Sequence, residues 1–195
     1  MSRVLYEVDG PAYAVLLGGS WSTGAEPGYD VWKQIRDFSV ELFMNAPSNV
    51  WIPDGSERLV TLPLARQLEE KHPVGMYLQP TTVNWYEGMK VPEDWPPPPA
   101  LMQIRTTEVI HAAPQCIRYG KDGLSEGFDS PLSVVCPGVM PEEGVWEVDE
   151  SGGILLFTKG LRDIIAAVDP EVTFIEVPCI DPAETNAAGS SQTNT

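Results

Sequence analysis

Apolar positions along this chain come in short runs cut by proline and glycine, a pattern that predicts many brief elements instead of a few long ones. Residues 4–8 and 12–17 read as two strands, joined as a hairpin through Asp9, Gly10 and Pro11. Residues 18–30, with four glycines and Pro27, read as a loop. Between 31 and 44, Val31, Ile35, Phe38, Leu42 and Phe43 fit helical spacing, although Trp32, Phe38 and Val40 also suit alternation. After a break at 45–49, a short strand is expected at 50–52. Residues 61–71 form a clearer helix: Thr61 can cap it, Pro63 is tolerated in the first turn, Leu64 and Leu68 share a face, and Pro73 stops it. A strand at 74–78 leads to an extended connection at 84–99, which holds Trp85, Tyr86, Trp95 and four consecutive prolines. Strands follow at 101–110 and 115–119.

The most legible part comes last. A strand at 153–157 runs into Thr158, a helix-capping residue type, and Leu161, Ile164, Ile165 and Val168 then recur at i, i+3, i+4 and i+7. Asp169 and Pro170 end that helix, and 172–177 returns as a strand. Burying four such aliphatic side chains contributes about 6–12 kcal/mol before entropy, which makes the strand–helix–strand unit central to the core. The expected class is α+β: one domain over 1–180 of short, mostly antiparallel strands with two or three short helices. The proline-rich stretch 91–100 is a possible internal boundary, and the small, polar residues 181–195 read as a disordered tail.

Composition narrows this picture. With 195 residues, 43% apolar side chains and six tryptophans, the chain belongs with globular proteins and can build one sizeable core. Its 19 prolines favour a strand-and-loop-rich fold over a helical bundle. The N-terminus has no apolar stretch of signal-peptide length, and the longest apolar runs, 13–17 and 154–157, are far too short to span a membrane. Cys116, Cys136 and Cys179 are odd in number and lack CxxC spacing, so reduced thiols in a cytoplasmic protein are expected.

Charge is the feature with functional content. After Lys121 there are 14 acidic side chains against two basic ones, Lys159 and Arg162, a net charge of −12; residues 1–121 carry only −4. Such a chain repels nucleic acid and anionic membranes and suits a basic protein partner. Eight of the carboxylates, Asp122, Glu126, Asp129, Glu142, Glu143, Glu147, Asp149 and Glu150, fall in a segment without a basic residue. They are the expected partner-binding residues, with Trp146 as an aromatic anchor and Trp21 as a second one.

No motif assembles a convincing catalytic centre. Gly123-Leu-Ser-Glu-Gly127 fits G-x-S-x-G, but Pro131 follows closely and both histidines, His72 and His111, precede the serine. Those histidines show no metal-site spacing, and the glycine-rich run 18–24 lacks the lysine of a phosphate loop. No catalytic residue, metal or cofactor is therefore expected. Lys159 and Arg162, in the first turn of the last helix, read as surface ion pairs with Glu147, Asp149 or Glu150.

The run Ile154-Leu-Leu-Phe-Thr-Lys-Gly-Leu-Arg-Asp-Ile-Ile, followed by Asp169-Pro-Glu-Val-Thr-Phe-Ile-Glu-Val, resembles the closing module of a bacterial immunity-protein family, the imm11-like group of polymorphic toxin systems. The opening strand, Val4-Leu-Tyr-Glu-Val8, is also similar. The resemblance implies a small cytoplasmic protein that binds and neutralises a cognate toxin. Two other functions compete with it: a structural or adaptor subunit of a phage or secretion assembly, and a hydrolase using paired carboxylates such as Glu142 and Asp149. Oligomeric state is left open.

Overall fold

A computed structural model describes residues 3–9, 15–18, 39–46, 48–52, 58–121, 125–128, 131–151 and 154–182. Among them are fourteen strands: β1 Arg3–Asp9, β2 Val15–Gly18, β3 Ser39–Leu42, β4 Val50–Trp51, β5 Arg58–Thr61, β6 Met76–Trp85, β7 Leu101–Thr106, β8 Val109–Ile110, β9 Ile117–Tyr119, β10 Ser125–Phe128, β11 Val134–Val135, β12 Val145–Val148, β13 Leu155–Phe157 and β14 Thr173–Ile180. Two α-helices, α1 Leu62–Glu69 and α2 Lys159–Val168, accompany them. The fold is α+β. Eight of the eleven strand pairings are antiparallel.

One six-stranded sheet runs β11-β14-β1-β13-β12-β8, a second runs β2-β3-β6-β7-β5-β4, and β9 and β10 pair by themselves. β1 lies between β13 and β14, antiparallel to both, so β13–α2–β14 is a crossover unit held open by one strand from the start of the chain. Leu155, Leu156 and Phe157 are all buried because both faces of β13 are covered, and their continuous apolar run follows from that. Leu161 and Ile165 of α2 are fully buried, with Ile164 and Val168 packed beside them; the helical stripe read from the sequence is the face that meets the core. That core also takes Val8, Val145, Leu155 and Phe157 from the first sheet, Val50, Val60 and Ile104 from the second, and Leu64, Ala65 and Leu68 from α1. One apolar cluster thus joins both sheets and both helices. On the far side of the first sheet, Leu5, Ile110, Trp146, Val148, Leu156 and Val177 form a second cluster.

Several expectations change. The two opening strands are not a hairpin: β1 pairs with β13 and β14, whereas β2 pairs with β3 in the other sheet. Alternation identifies a strand without naming its neighbour, and here the neighbours of β1 lie some 149–176 residues away in register pairs such as Tyr6 with Phe157 and Val4 with Pro178. The helix expected over 31–44 gives way at its end to β3; 31–38 lie outside the described residues. There the alternation of Val40 and Leu42, both buried, prevails. The strand expected at 101–110 splits, β7 staying in the second sheet and β8 crossing to the first. The proline-rich stretch links β6 to β7, antiparallel neighbours within one sheet, and Trp95 packs on Trp85 at a centroid distance of 4.9 Å. Cys136 and Cys179 are joined as a disulfide across the β11–β14 edge, 43 residues apart in sequence, while Cys116 is a buried free thiol. The expectation of three reduced thiols is corrected: the parallel register brings Val134 beside Cys179, so Cys136 falls next to the same strand. Thr61 and Thr158 hold the N-cap positions of α1 and α2, but neither hydroxyl caps its own helix. Residues 18–24, beyond Gly18, and the tail from 183 onward lie outside the described residues.

Polar groups make the remaining joints between the sheets. Asp169, 5% exposed at the end of α2, accepts hydrogen bonds at Oδ2 from Ser48 Oγ (2.7 Å), Asn49 N–H (2.7 Å) and Val50 N–H (3.2 Å). Asn49 also accepts the Thr61 hydroxyl at 2.8 Å and donates to the Val168 carbonyl at 3.4 Å, so it connects the start of α1 to the end of α2. Arg58 of β5 reaches Glu7 of β1 at 3.5 Å. Burial lifts the Glu7 carboxyl above its ordinary range, with Arg58 opposing the rise and Asp9 adding to it. A folded value above the unfolded 4.5 means that ionised Glu7 disfavours the fold; the cost is absent well below 4.5 and grows as pH rises through the folded value. Glu7→Gln is accordingly expected to melt above the wild type at neutral pH, with the gap closing toward pH 4. Melting curves across that range check it, and a gap that favours the wild type increasingly as pH rises contradicts it.

Candidate functional site

The acidic segment is organised by β12. Strand alternation turns Val145 toward the shared core and Trp146 and Val148 toward the second cluster, leaving Glu147 on the face opposite Trp146. Trp146 is 3% exposed, and its ring lies so close over Gly144 that a β-carbon there would meet it at 2.7 Å. It anchors the core. The expectation of a partner-facing tryptophan is corrected by the same alternation that turns Glu147 to the other face.

The carboxylates of the segment divide by what surrounds them. Glu143 belongs to the fold. Its Oε2 accepts the Thr158 hydroxyl at 2.6 Å, its carbonyl accepts the Val74 N–H at 3.0 Å, and its carboxylate lies against Gly160 in the first turn of α2. An anion there complements the helix dipole. Glu150 is also engaged: Oε2 accepts the Ala112 N–H at 2.9 Å, and Oε1 lies 3.2 Å from His111 Nδ1. Asp149 is exposed, with Oδ2 3.7 Å from the same nitrogen. Glu142 is exposed and Glu147 half-buried. Glu126 lies in β10. Asp122, Asp129 and Trp21 lie outside the described residues.

The two late basic residues do not pair with these carboxylates as expected. Lys159 bonds Asp163 one turn along α2, which holds the Asp163 carboxyl below its ordinary range. Arg162 stacks over the Tyr6 ring at 4.5 Å from its centroid and also touches Asp163. Acidic side chains nine to fifteen residues before a cation in sequence are poor guides when a helix offers a partner at i+4.

Ser125 opens β10, which pairs with β9, and among the described residues no helix follows that strand directly, as the G-x-S-x-G corner requires. His72 takes a left-handed conformation (φ 49°) just past α1, its N–H bonded to the Glu69 carbonyl at 2.9 Å, and serves to end the helix. What sequence reasoning missed is the meeting of His111 with Asp149 and Glu150, which are 38 and 39 residues away along the chain. No helix among the described residues is long and apolar enough to cross a membrane. Compared with known proteins, the chain matches no protein-family model and no characterised protein.

The contact between Glu143 and Gly160 is open to a thermodynamic cycle. A β-carbon at Gly160 would meet Glu143 Oε1, forcing the carboxylate off Thr158. Gly160→Ala should therefore lower the melting temperature of the wild type. In a Glu143→Ala background the same change should raise it, since alanine is the better helix former by about 1 kcal/mol or less near a terminus. Equal effects in both backgrounds contradict the packing.

Proposed function

We propose that this chain is a non-catalytic binding protein, an immunity protein that neutralises a cognate bacterial toxin by docking on a basic surface. The observation that carries the reading is charge segregation: a net −12 after Lys121, with eight carboxylates and no cation between 122 and 150. Exposure of Glu142 and Asp149 supports it, since both side chains reach solvent, Asp149 with His111 beside it. Glu143 and Trp146 serve the fold and Glu150 is engaged, so among the described residues the contact set narrows to Glu142, Glu147 and Asp149, with Glu126 of β10. Carboxylates on such a rim act mainly on the rate of encounter, which they raise by steering and which salt suppresses.

An immunity protein of this kind acts in the cytoplasm, where the Cys136–Cys179 disulfide would be an exception. The experiment is a binding measurement against the toxin encoded beside this gene, at low and high salt. Wild-type association should slow steeply with salt, and Glu142→Gln combined with Asp149→Asn should weaken affinity by about tenfold, roughly 1.4 kcal/mol, mostly through the association rate. An unchanged melting temperature of the double variant keeps folding out of the result. Absence of binding, or binding indifferent to salt and to both substitutions, defeats the proposal.

A further inference from the structure

β8 and β12 are parallel neighbours at one edge of the first sheet, with Val109 opposite Glu147 and Ile110 opposite Val148. Continuing that register by one residue sets His111 beside Asp149, and the single 3-10 turn over Asp149–Ser151 brings Glu150 to the same place. Two strand ends, far apart in sequence, thus present an imidazole and two carboxylates to one point.

The spacing of the donor atoms is informative. His111 Nδ1 lies 3.2 Å from Glu150 Oε1 and 3.7 Å from Asp149 Oδ2, and all three donor atoms fall within 4.8 Å of one another. Ligand atoms held about 2.0–2.2 Å from one tetrahedral ion are separated by roughly 3.3–3.6 Å, so little movement is needed for the three to share one. Glu150 is also fixed from outside the cluster. The Ala112 N–H holds its Oε2 at 2.9 Å and leaves Oε1 turned toward His111, the kind of support that orients a metal-binding carboxylate. The His111 and Asp149 side chains are 65% and 48% exposed, so an ion could enter without unfolding any element.

We propose that His111, Asp149 and Glu150 form a binding site for a divalent transition ion, with zinc the best match. The imidazole selects against magnesium and calcium, which favour oxygen ligands, and imidazole nitrogen and carboxylate oxygen are both ordinary zinc ligands. Three protein ligands leave a coordination position open to water or to a donor on another molecule. The ion would clamp the β8 edge to β12, and its binding to the folded state would add stability by mass action. The site shares Asp149 with the proposed contact set, but its zinc readout requires neither a toxin nor Glu142, so either reading can fail without the other.

The test uses the full chain, stripped with chelator and then titrated with zinc chloride alone, followed by calorimetry and by melting temperature. The wild type should take up one zinc per chain with a rise in melting temperature that chelator reverses and magnesium does not reproduce. His111→Ala and, separately, Asp149→Asn should weaken zinc binding by at least about tenfold, while a Cys116→Ser variant binds like the wild type. Melting of each variant without zinc shows that it is folded, and His111→Gln serves if the alanine variant is not. The proposal is overturned if the wild type takes up no zinc, or if the His111 variants bind it as tightly as the wild type; the cluster is then a histidine–carboxylate hydrogen bond and nothing more.

Discussion

The carboxylate of Asp169 is the joint on which the rest of the architecture depends. It stands at the C-terminal end of α2, where a negative charge opposes the helix dipole, and it is almost wholly buried. Both circumstances are unfavourable unless the charge is met by donors. The bend Ser48-Asn49-Val50 supplies three of them, one hydroxyl and two backbone N–H groups. Those residues lead directly into β4 of the second sheet, while α2 packs on β1 of the first. With Asn49 also tied to Thr61, one short bend fixes the end of one helix, the start of the other and an edge of the second sheet. The apolar cluster between the sheets supplies most of the driving force, and this polar joint sets the register in which they meet.

Around that frame the acidic segment is less uniform than its charge implies. Glu143 is spent on α2, where it meets Thr158 and the first helical turn, and Glu150 is held by the Ala112 N–H and His111. Glu142 and Asp149 stand in solvent. A charge count cannot separate these roles, because they are assigned by what lies across space. Negative charge is therefore partly a consequence of folding needs and partly surplus, and only the surplus is available for a partner.

The parts of the fold legible in the sequence are those specified locally. The stripe Leu161, Ile164, Ile165 and Val168 defines α2 because a 3.6-residue period has one structural answer, and the run Leu155–Phe157 reads as a doubly covered strand for a similar reason. Proline at 63 and 73 brackets α1 well. Long-range choices were not legible. Nothing in residues 3–9 says that they will lie between β13 and β14, and Asp9-Gly10-Pro11 offers a turn that points to the wrong partner. Trp146 reads as exposed beside carboxylates until alternation along β12 is fixed by pairing with β13. The Cys136–Cys179 link and the meeting of His111 with Asp149 both follow from parallel registers, which leave no local signature. The candidate site was therefore half legible: its charge was visible, its division into structural and free carboxylates was not.

Through the Asp169 joint the two sheets form one cooperative unit. Native-state hydrogen exchange on the wild type and on Asp169→Asn tests it most directly, with amides of β1 and β13 followed alongside those of β5 and β7. If the joint couples the sheets, protection should fall in both by the same amount, about 1–3 kcal/mol for losing charged hydrogen bonds at a buried site. Loss confined to β4, β5 and β7, with β1 and β13 unchanged, would show two independently stable sheets and contradict the claim.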